Sequence, residues 1–243
     1  MGPRLVSARS AAPYVFALVL SSLIDLLLRA RILFELNFHR VSVRPFSDQL
    51  FGFLVGGYLF LLSAFLIFFL VKILPNILRS RNLSRWDVRL LGLLATMQLV
   101  SNLFAINLAI YFVDIASYEL LGESLALYFS INLIFLFWYW FLDYPFRNQR
   151  LVSGGIDGKD RTGIPYGILF PEEAMQRDLN GSGVWVPRLV DYVFFTLVSS
   201  NTFGAPEGHA VIGDRLKWTQ VVHTLCMILV FIVIVARAIN TLT

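Results

Sequence analysis

The sequence predicts an all-α polytopic membrane protein with about five transmembrane helices and one re-entrant helix. Of its 243 residues, 57% are hydrophobic and 15% are charged, and its mean hydropathy is +0.70. Soluble domains carry roughly 25% charged residues, and a chain of this length cannot bury so much apolar surface in water-soluble cores. Charge-free runs long enough to cross a bilayer recur along the chain. Together these observations exclude a secreted, disordered or disulfide-scaffolded protein.

Five apolar runs predict the transmembrane helices. A bilayer core is about 30 Å thick and requires roughly 20 helical residues. The first run has only 15 residues, so it spans only if Arg29 and Arg31 extend toward the headgroups. Its one acid, Asp25, is a functional candidate because of its depth, although Arg29 one helical turn later favours a simple pairing. The predicted spans are residues 14–28, 50–71, 90–113, 124–142 and 218–236.

One further apolar run is too short to cross a membrane. Residues 192–206, YVFFTLVSSNTFGAP, are apolar at the start and polar at the end. Pro187 suits the first position of a helix, and a helix over residues 187–200 is about 20 Å long. Such a helix reaches the middle of the membrane, which is typical of re-entrant segments. An amphipathic interfacial helix, or one that covers the bundle, is the alternative interpretation.

The end of this half-length helix predicts a cation site. A helix C-terminus carries about half a negative charge, and the carbonyls of Thr202, Phe203 and Gly204 could point toward an axis. Several chains around that axis would replace the hydration shell of a cation, which requires a symmetric homo-oligomer, expected to be a tetramer. Two sets of side chains would assist cation binding. The alternative interpretation is that they only cap the helix or lie in solvated loops. They are Ser199, Ser200 and Asn201 at the pore-helix end, and Glu207 and Asp214 at the mouth.

Residues 124–240 resemble the pore domain of the potassium-channel-like (ion channel 2) superfamily. The order of outer helix, pore helix, filter and inner helix matches, and TFGAP at residues 202–206 falls where that family has TVGYG. The chain is also similar to bacterial members that share a WYWFLD-like helix end and a Phe170-Pro171 pair. The resemblance implies K⁺ or Na⁺ as permeant ions, no other cofactor, and location in a bacterial inner membrane.

The sequence departs from the family pattern at the filter. Only Thr202 and Gly204 match the signature, and Pro206 replaces the second filter glycine. Proline fixes φ near −65°, whereas that glycine is left-handed. A shortened filter predicts weak discrimination between K⁺ and Na⁺. The inner helix also lacks a hinge glycine.

This interpretation divides the chain into two parts. Residues 1–115 form N-terminal membrane helices, and residues 116–243 form a channel-like pore domain. Its predicted parts are an outer helix over 120–143, an aqueous loop over 144–186, a pore helix over 187–200, a filter over 201–206 and an inner helix over 217–238.

Charged loops predict the orientation in the membrane. Residues 72–89 hold five Lys or Arg residues and one acid, whereas residues 114–123 hold three acids and no base. Because basic loops stay in the cytoplasm, the pore loop is predicted to enter from the cytoplasmic side. Potassium channels have it outside, and relatives of ionotropic glutamate receptors have the inverted arrangement. The charge count favours the inverted one.

The remaining polar residues are predicted to have structural roles. The sequence has no cluster of acids, bases or nucleophiles that would indicate an enzyme, and its small positive net charge does not indicate nucleic-acid binding. The acids and histidine at Glu172, Glu173, Glu207 and His209 lack metal-site spacing. Asp191 is expected to cap the half-length helix and His223 to be a hydrogen-bonded structural residue. Interhelical hydrogen bonds are expected from Gln98, Asn102 and Asn107.

The sequence therefore favours an oligomeric cation channel that contacts the lipid bilayer and other copies of itself. A non-conducting membrane protein with a pore-like fold, serving assembly or partner binding, is the main alternative. A membrane enzyme acting on lipid is the third interpretation, and the absence of a reactive cluster in the sequence counts against it.

Overall fold

The structure is a computed structural model that describes residues 5–38, 45–112, 117–152, 167–178 and 185–240. Within these ranges the protein is mostly helical. The chain divides into two compact units. Unit 1 comprises Met1–Ile134 with Leu229–Thr243, and unit 2 comprises Phe135–Ile228.

Long helices dominate the described ranges. The helices are α1 (Ala8–Phe38), α2 (Pro45–Phe68), α3 (Leu74–Leu78), α4 (Arg85–Phe112), α5 (Ser117–Val152), α6 (Pro171–Asp178), α7 (Leu189–Thr202) and α8 (Asp214–Asn240). The short strands are β1 (Leu5–Val6), β2 (Leu83–Ser84), β3 (Gly167–Leu169) and β4 (Ala210–Ile212). A π-helical turn, Phe69–Ile73, joins α2 to α3.

In the described ranges, five helices are long and apolar enough to cross a membrane, which confirms the predicted number of spans. The first run is extended in both directions by α1, so its 15 apolar residues lie within a sufficiently long helix. The protein is therefore membrane-embedded. The spanning segments in the described ranges are Ala8–Ala30, Val55–Leu78, Arg85–Ala105, Leu121–Pro145 and Asp214–Ile232.

In unit 1, helix α4 packs against both α1 and α2. The antiparallel pair β1–β2 joins the start of the chain to the segment before α4, with Val6 opposite Leu83. The π-helical turn ends just before Pro75, which has no backbone N–H to donate to the carbonyl one turn earlier. Loss of that hydrogen bond explains why the regular α-helix is interrupted at this point.

Buried amides connect the helices of unit 1, as predicted. Gln98 accepts a hydrogen bond from the Ser22 hydroxyl (2.7 Å) and donates to the Leu61 carbonyl (3.3 Å). Asn102 donates to the Asp25 carbonyl (3.0 Å). The side chain of Asn107 lies outside the described residues. These bonds tie α4 to both α1 and α2.

The predicted pairing of Asp25 with Arg29 is not the arrangement that these residues adopt. The Asp25 carboxylate accepts a hydrogen bond from the Ser130 hydroxyl (2.8 Å). The Arg29 guanidinium instead donates to the hydroxyl of Ser101 (2.7 Å). Each of the two charged groups is therefore bonded to a serine hydroxyl of a neighbouring helix, and not to the other charged group on α1.

In unit 2, strands β3 and β4 form an antiparallel pair in which Leu169 lies opposite Ala210. The segment between them contains α6 and α7. Because its two ends are hydrogen-bonded neighbours, this segment leaves the strand pair and returns to it. The strand pair therefore closes the segment into a loop.

The observed elements of this region have bounds that differ from the predicted ones. The outer helix predicted over 120–143 continues as α5 to Val152, through Pro145, because Asp143 and Arg147 pair one turn apart beyond the apolar run. The loop predicted over 144–186 contains the end of α5, β3 and α6. The helix predicted over 187–200 spans 189–202, since Arg188 in extended backbone is its N-cap.

A tight turn returns the chain from α7 to β4. The His209 N–H donates to the Pro206 carbonyl (3.0 Å), and Gly208 has φ +78°. A side chain at that φ is strained. A Cβ on Gly208 would also approach the Cγ atom of Pro171 to 3.1 Å. The turn thus requires glycine for both conformation and space.

Replacement of Gly208 by alanine should destabilise the protein by about 2 kcal/mol, the sum of backbone strain and contact with Pro171. Thermal unfolding of purified protein in detergent measures this change. Gly204→Ala is the matched control, because its Cβ would meet nothing nearer than a carbonyl oxygen at 4.0 Å. Equal unfolding temperatures for the two variants would contradict the turn geometry.

Candidate functional site

The candidate site is built around α7, the half-length helix of unit 2. Its N-cap is Arg188, whose backbone N–H donates to the Asp191 carboxylate (2.6 Å). The predicted capping role of Asp191 is confirmed, and the acid suits the positive end of the helix. Pro187 lies before the cap rather than in the first turn.

Helix α7 runs antiparallel to the C-terminal part of α5 within unit 2. The Tyr192 hydroxyl donates to Asp143 (2.5 Å). One turn later on α7, the ring of Phe195 meets the ring of Tyr139 edge-on, with 4.9 Å between centroids. Tyr139 lies one turn before Asp143 on α5. Thus α7 proceeds from the end of the α5 span toward its interior.

The C-terminal end of α7 carries the residues predicted to form the pore-helix end. Ser199 is buried and its hydroxyl has no hydrogen-bond partner. The hydroxyl of Ser200 donates to the Leu197 carbonyl (2.8 Å). Asn201 is exposed. These three residues are brought together by the helix itself.

The predicted extended filter over 201–206 starts later than expected, because Asn201 and Thr202 belong to the last turn of α7. The Thr202 hydroxyl donates to the Val198 carbonyl (2.9 Å) and approaches the Gly204 carbonyl (3.2 Å). Phe203 is the C-cap, with left-handed φ of 55°. These hydrogen bonds and this backbone conformation are those of a helix cap, which satisfies the last carbonyls locally.

After the cap, the chain returns alongside α7 to the level of its first turns. His209 lies 5.6 Å from the ring of Phe195 and 5.3 Å from the ring of Phe170, measured between ring centroids. Residues 203–209 therefore retrace about half of the length of α7. The two predicted mouth residues follow different elements: Glu207 is exposed in the turn, and Asp214 is the exposed first residue of α8.

The arrangement depends on the carboxylate of Asp143, a buried group at the end of the α5 span. Its Oδ2 atom accepts from Arg147 Nε (2.6 Å) and from the Tyr192 hydroxyl. Its Oδ1 atom accepts from the backbone N–H of Ile168 (2.8 Å). One carboxylate therefore joins α5, β3 and α7.

Arg147 extends this network to α6. It donates to Glu173 (3.1 Å) and to the Ile168 carbonyl (2.5 Å), and its guanidinium lies 5.2 Å from the centroid of the Phe170 ring. Burial lowers the pKa of Arg147, but the negative charge of Asp143, with Tyr192 and Glu173, holds that pKa above its ordinary value. The guanidinium therefore stays charged.

The sequence alone predicts no role for Asp143 or Arg147, and the spacing of Glu173 does not indicate a metal ligand. Asp143 is only the last letter of the aromatic-rich WYWFLD motif. The available signal was an acid and an arginine four residues apart at the end of an apolar run, which is a stabilising spacing on a helix. The long-range partners, Tyr192 and Ile168, have no such signal.

His223 on α8 has the expected hydrogen bond. Its Nδ1 atom lies 3.2 Å from the Tyr139 hydroxyl, and its ring stacks on Phe135 with 4.3 Å between centroids. Its Nε2 atom has no partner. In the part of the chain that the structure describes, no three His, Cys, Asp or Glu side chains are grouped to hold a metal ion.

Replacing Asp143 by asparagine should destabilise the protein by about 3 kcal/mol, because Arg147 then loses its main countercharge while buried. Tyr192→Phe removes one hydrogen bond and keeps the charge pair, so it should cost only about 1 kcal/mol. Glu207→Gln, at an exposed position, is the control and should change stability by less than about 0.5 kcal/mol. Denaturant unfolding in detergent ranks the three, and an Asp143→Asn variant as stable as Glu207→Gln would contradict the network.

No protein-family model matches this chain, and neither curated proteins nor solved structures yield a match. The features of the chain that bear on its function are α7, residues 203–209 and the Asp143 network.

Proposed function

We propose that unit 2 is the pore-forming part of an oligomeric cation channel, with α7 as a re-entrant pore helix. The observation that carries this proposal is a half-length helix whose flanking strands pair with each other. A segment that enters a membrane and returns must begin and end on one side, and the β3–β4 pair meets that requirement. Membrane re-entry explains this geometry together with the apolar start of α7.

The depth of α7 follows from its contacts. Tyr192 lies at the level of Asp143, next to the end of the α5 span at Pro145. From Tyr192 to Thr202 the helix rises about 15 Å, which is half of a bilayer core about 30 Å thick. The end of α7 would then lie near the middle of the membrane, with its partial negative charge directed at that level.

The exposed end of α7 supports an oligomer. Asn201 and Thr202 are exposed in the single chain, and polar groups at this depth require protein or water around them rather than lipid. Apolar side chains of α8 are also exposed, including Val221, Val222 and Leu225. Neighbouring copies that pack on these faces would enclose a polar axis at the end of α7.

The chemistry proposed for this axis is cation coordination. Carbonyls of Thr202, Phe203 and Gly204, with the exposed side chains of Asn201 and Thr202, would replace water around K⁺ or Na⁺. Ser199 and Ser200 are buried in the single chain and would only support the helix end. Glu207 and Asp214 would raise the local cation concentration at the mouth. Weak selectivity is expected, because Pro206 shortens the filter.

One observation favours the alternative, a non-conducting protein that keeps a pore-like fold for assembly or partner binding. The Thr202 hydroxyl is bonded within its own chain, and Phe203 caps the helix instead of extending it. In that case the end of α7 would be an assembly contact.

Cation flux from proteoliposomes separates the two functions. Wild-type oligomer should release K⁺ or Na⁺ down a gradient, and Thr202→Val should reduce the flux about tenfold because it removes a hydroxyl from the pathway. Thr202→Ser keeps the hydroxyl and is the matched control, expected within about twofold of wild type. Absence of flux from well-folded wild-type oligomer would refute the channel and favour the alternative.

The orientation proposed from the loop charges has its own test. Five spans with residues 72–89 in the cytoplasm would place Thr243 outside and the α7 segment at the cytoplasmic side. A reporter enzyme that folds only outside the cytoplasm should therefore be active when fused after Thr243 and inactive when fused after Arg81. Activity with the opposite pattern would favour the orientation of potassium channels.

A further inference from the structure

A polar track lies inside the apolar helices of unit 1. On α1 it comprises Ser21, Ser22, Asp25 and Arg29, which share one face of the helix. The hydroxyls of Ser21 and Ser130 lie 2.8 Å apart, and the Ser130 hydroxyl donates to Asp25. The remaining partners come from the other helices: Gln98, Ser101 and Asn102 on α4, and Tyr58 on α2.

Four polar atoms in this track have no hydrogen-bond partner. They belong to residues that are at most 2% exposed, so solvent does not reach them from the surface. Each buried unpaired group costs about 1–3 kcal/mol, and the cost is higher for charged groups. The atoms are Asp25 Oδ2, Arg29 Nε, Tyr58 Oη and Asn102 Oδ1.

The four groups are neighbours. Asp25 and Arg29 are one turn apart on α1, and the Asn102 amide nitrogen donates to the Asp25 carbonyl (3.0 Å). The Arg29 guanidinium carbon lies 4.8 Å from the centroid of the Tyr58 ring. The charges of Asp25 and Arg29 act on the Tyr58 hydroxyl, and the Asn102 side chain lies within hydrogen-bonding reach of it. The unpartnered atoms therefore converge on one region between α1, α2 and α4.

The donors and acceptors among these atoms identify what fits between them. Asp25 Oδ2 accepts only, and Asn102 Oδ1 also accepts, since its amide nitrogen is oriented by the bond to the Asp25 carbonyl. Arg29 Nε donates only, and the Tyr58 hydroxyl can donate. A cation would leave the Arg29 donor unpaired and face its positive charge. An anion would face the carboxylate. A neutral molecule with two donors and two acceptors suits all four.

We propose that unit 1 binds an internal water molecule between Asp25, Arg29, Tyr58 and Asn102. The water donates to Asp25 Oδ2 and Asn102 Oδ1 and accepts from Arg29 Nε and the Tyr58 hydroxyl. It joins a carboxylate and a guanidinium that have no direct bond, so the pair is electrically neutral within the apolar bundle. Buried waters commonly make two to four such bonds. This site would exist whether or not unit 2 conducts ions.

X-ray radiolysis of full-length protein in detergent, in ¹⁸O-labelled water, tests this proposal. Radicals formed from a bound water modify the side chains that touch it. Tyr58 should be modified at least about tenfold faster than Phe65, which lies on the same helix, is equally inaccessible and contacts the Phe69 ring. Each rate is divided by the rate in unfolded protein to remove differences in intrinsic reactivity. Equal corrected rates would overturn the proposal, with no variant required.

Two amide variants on α4 locate the water. Asn102→Leu removes one acceptor and should reduce Tyr58 modification to the Phe65 level. Gln98→Met removes an amide whose oxygen and nitrogen are already bonded, and should leave Tyr58 modification unchanged. Unchanged labelling in folded Asn102→Leu would contradict the assignment. Loss of wild-type labelling when NaCl is raised would instead indicate that an ion occupies the site, and would also overturn it.

Discussion

Unit 2 depends on the buried carboxylate of Asp143. A carboxylate at the end of a membrane span is expensive to bury unless several donors surround it, and here three donors come from three different segments. The bond to Tyr192 sets where α7 begins relative to α5, and the bond to Ile168 sets where β3 lies. The position of the α7 end, ten residues beyond Tyr192, follows from this one point of attachment. Glu173 and Arg147 then connect α6 to the same group.

The two units treat buried polar groups differently. In unit 2, Asp143 and Arg147 satisfy each other and the backbone directly, which attaches β3 to α5. In unit 1, Asp25 and Arg29 each take a serine partner and leave atoms unpaired. Direct hydrogen bonds suit a structural attachment, because the bonded atoms keep no capacity for a further molecule. Unpaired polar atoms keep that capacity, which is why we place a bound water in unit 1.

The end of α7 bears on how the proposed channel would select ions. Thr202 and Asn201 present side chains at the helix end, whereas the carbonyl of Gly204 is approached by the Thr202 hydroxyl. A pore lined partly by hydroxyl and amide groups would discriminate less between monovalent cations than one lined by four successive carbonyl rings. Assembly of several chains would have to release Phe203 from its cap before carbonyls alone could line the axis. The shortened motif and the capped conformation therefore agree in favouring weak selectivity.

Much of the fold could be predicted because apolar content determines which helices can cross a bilayer. The five spans and the half-length helix follow from run length and from the geometry of 1.5 Å per residue. The capping role of Asp191 and the interhelical bonds of Gln98 and Asn102 follow from local chemistry and from the scarcity of polar partners in membranes. The function proposed for the half-length helix rests on its position and on a degenerate motif, and stays a proposal.

The sequence by itself determined the fold class, the number of spans and the presence of a helix too short to cross, because these depend only on residues near each other along the chain. Tertiary structure decided the rest. Strand β3 pairs with β4, Tyr192 bonds to Asp143, and Ser130 rather than Arg29 bonds to Asp25. Each of these contacts joins residues that are tens of positions apart. A hydrogen bond between distant residues depends on which helix faces pack together, and short-range periodicity does not contain that information.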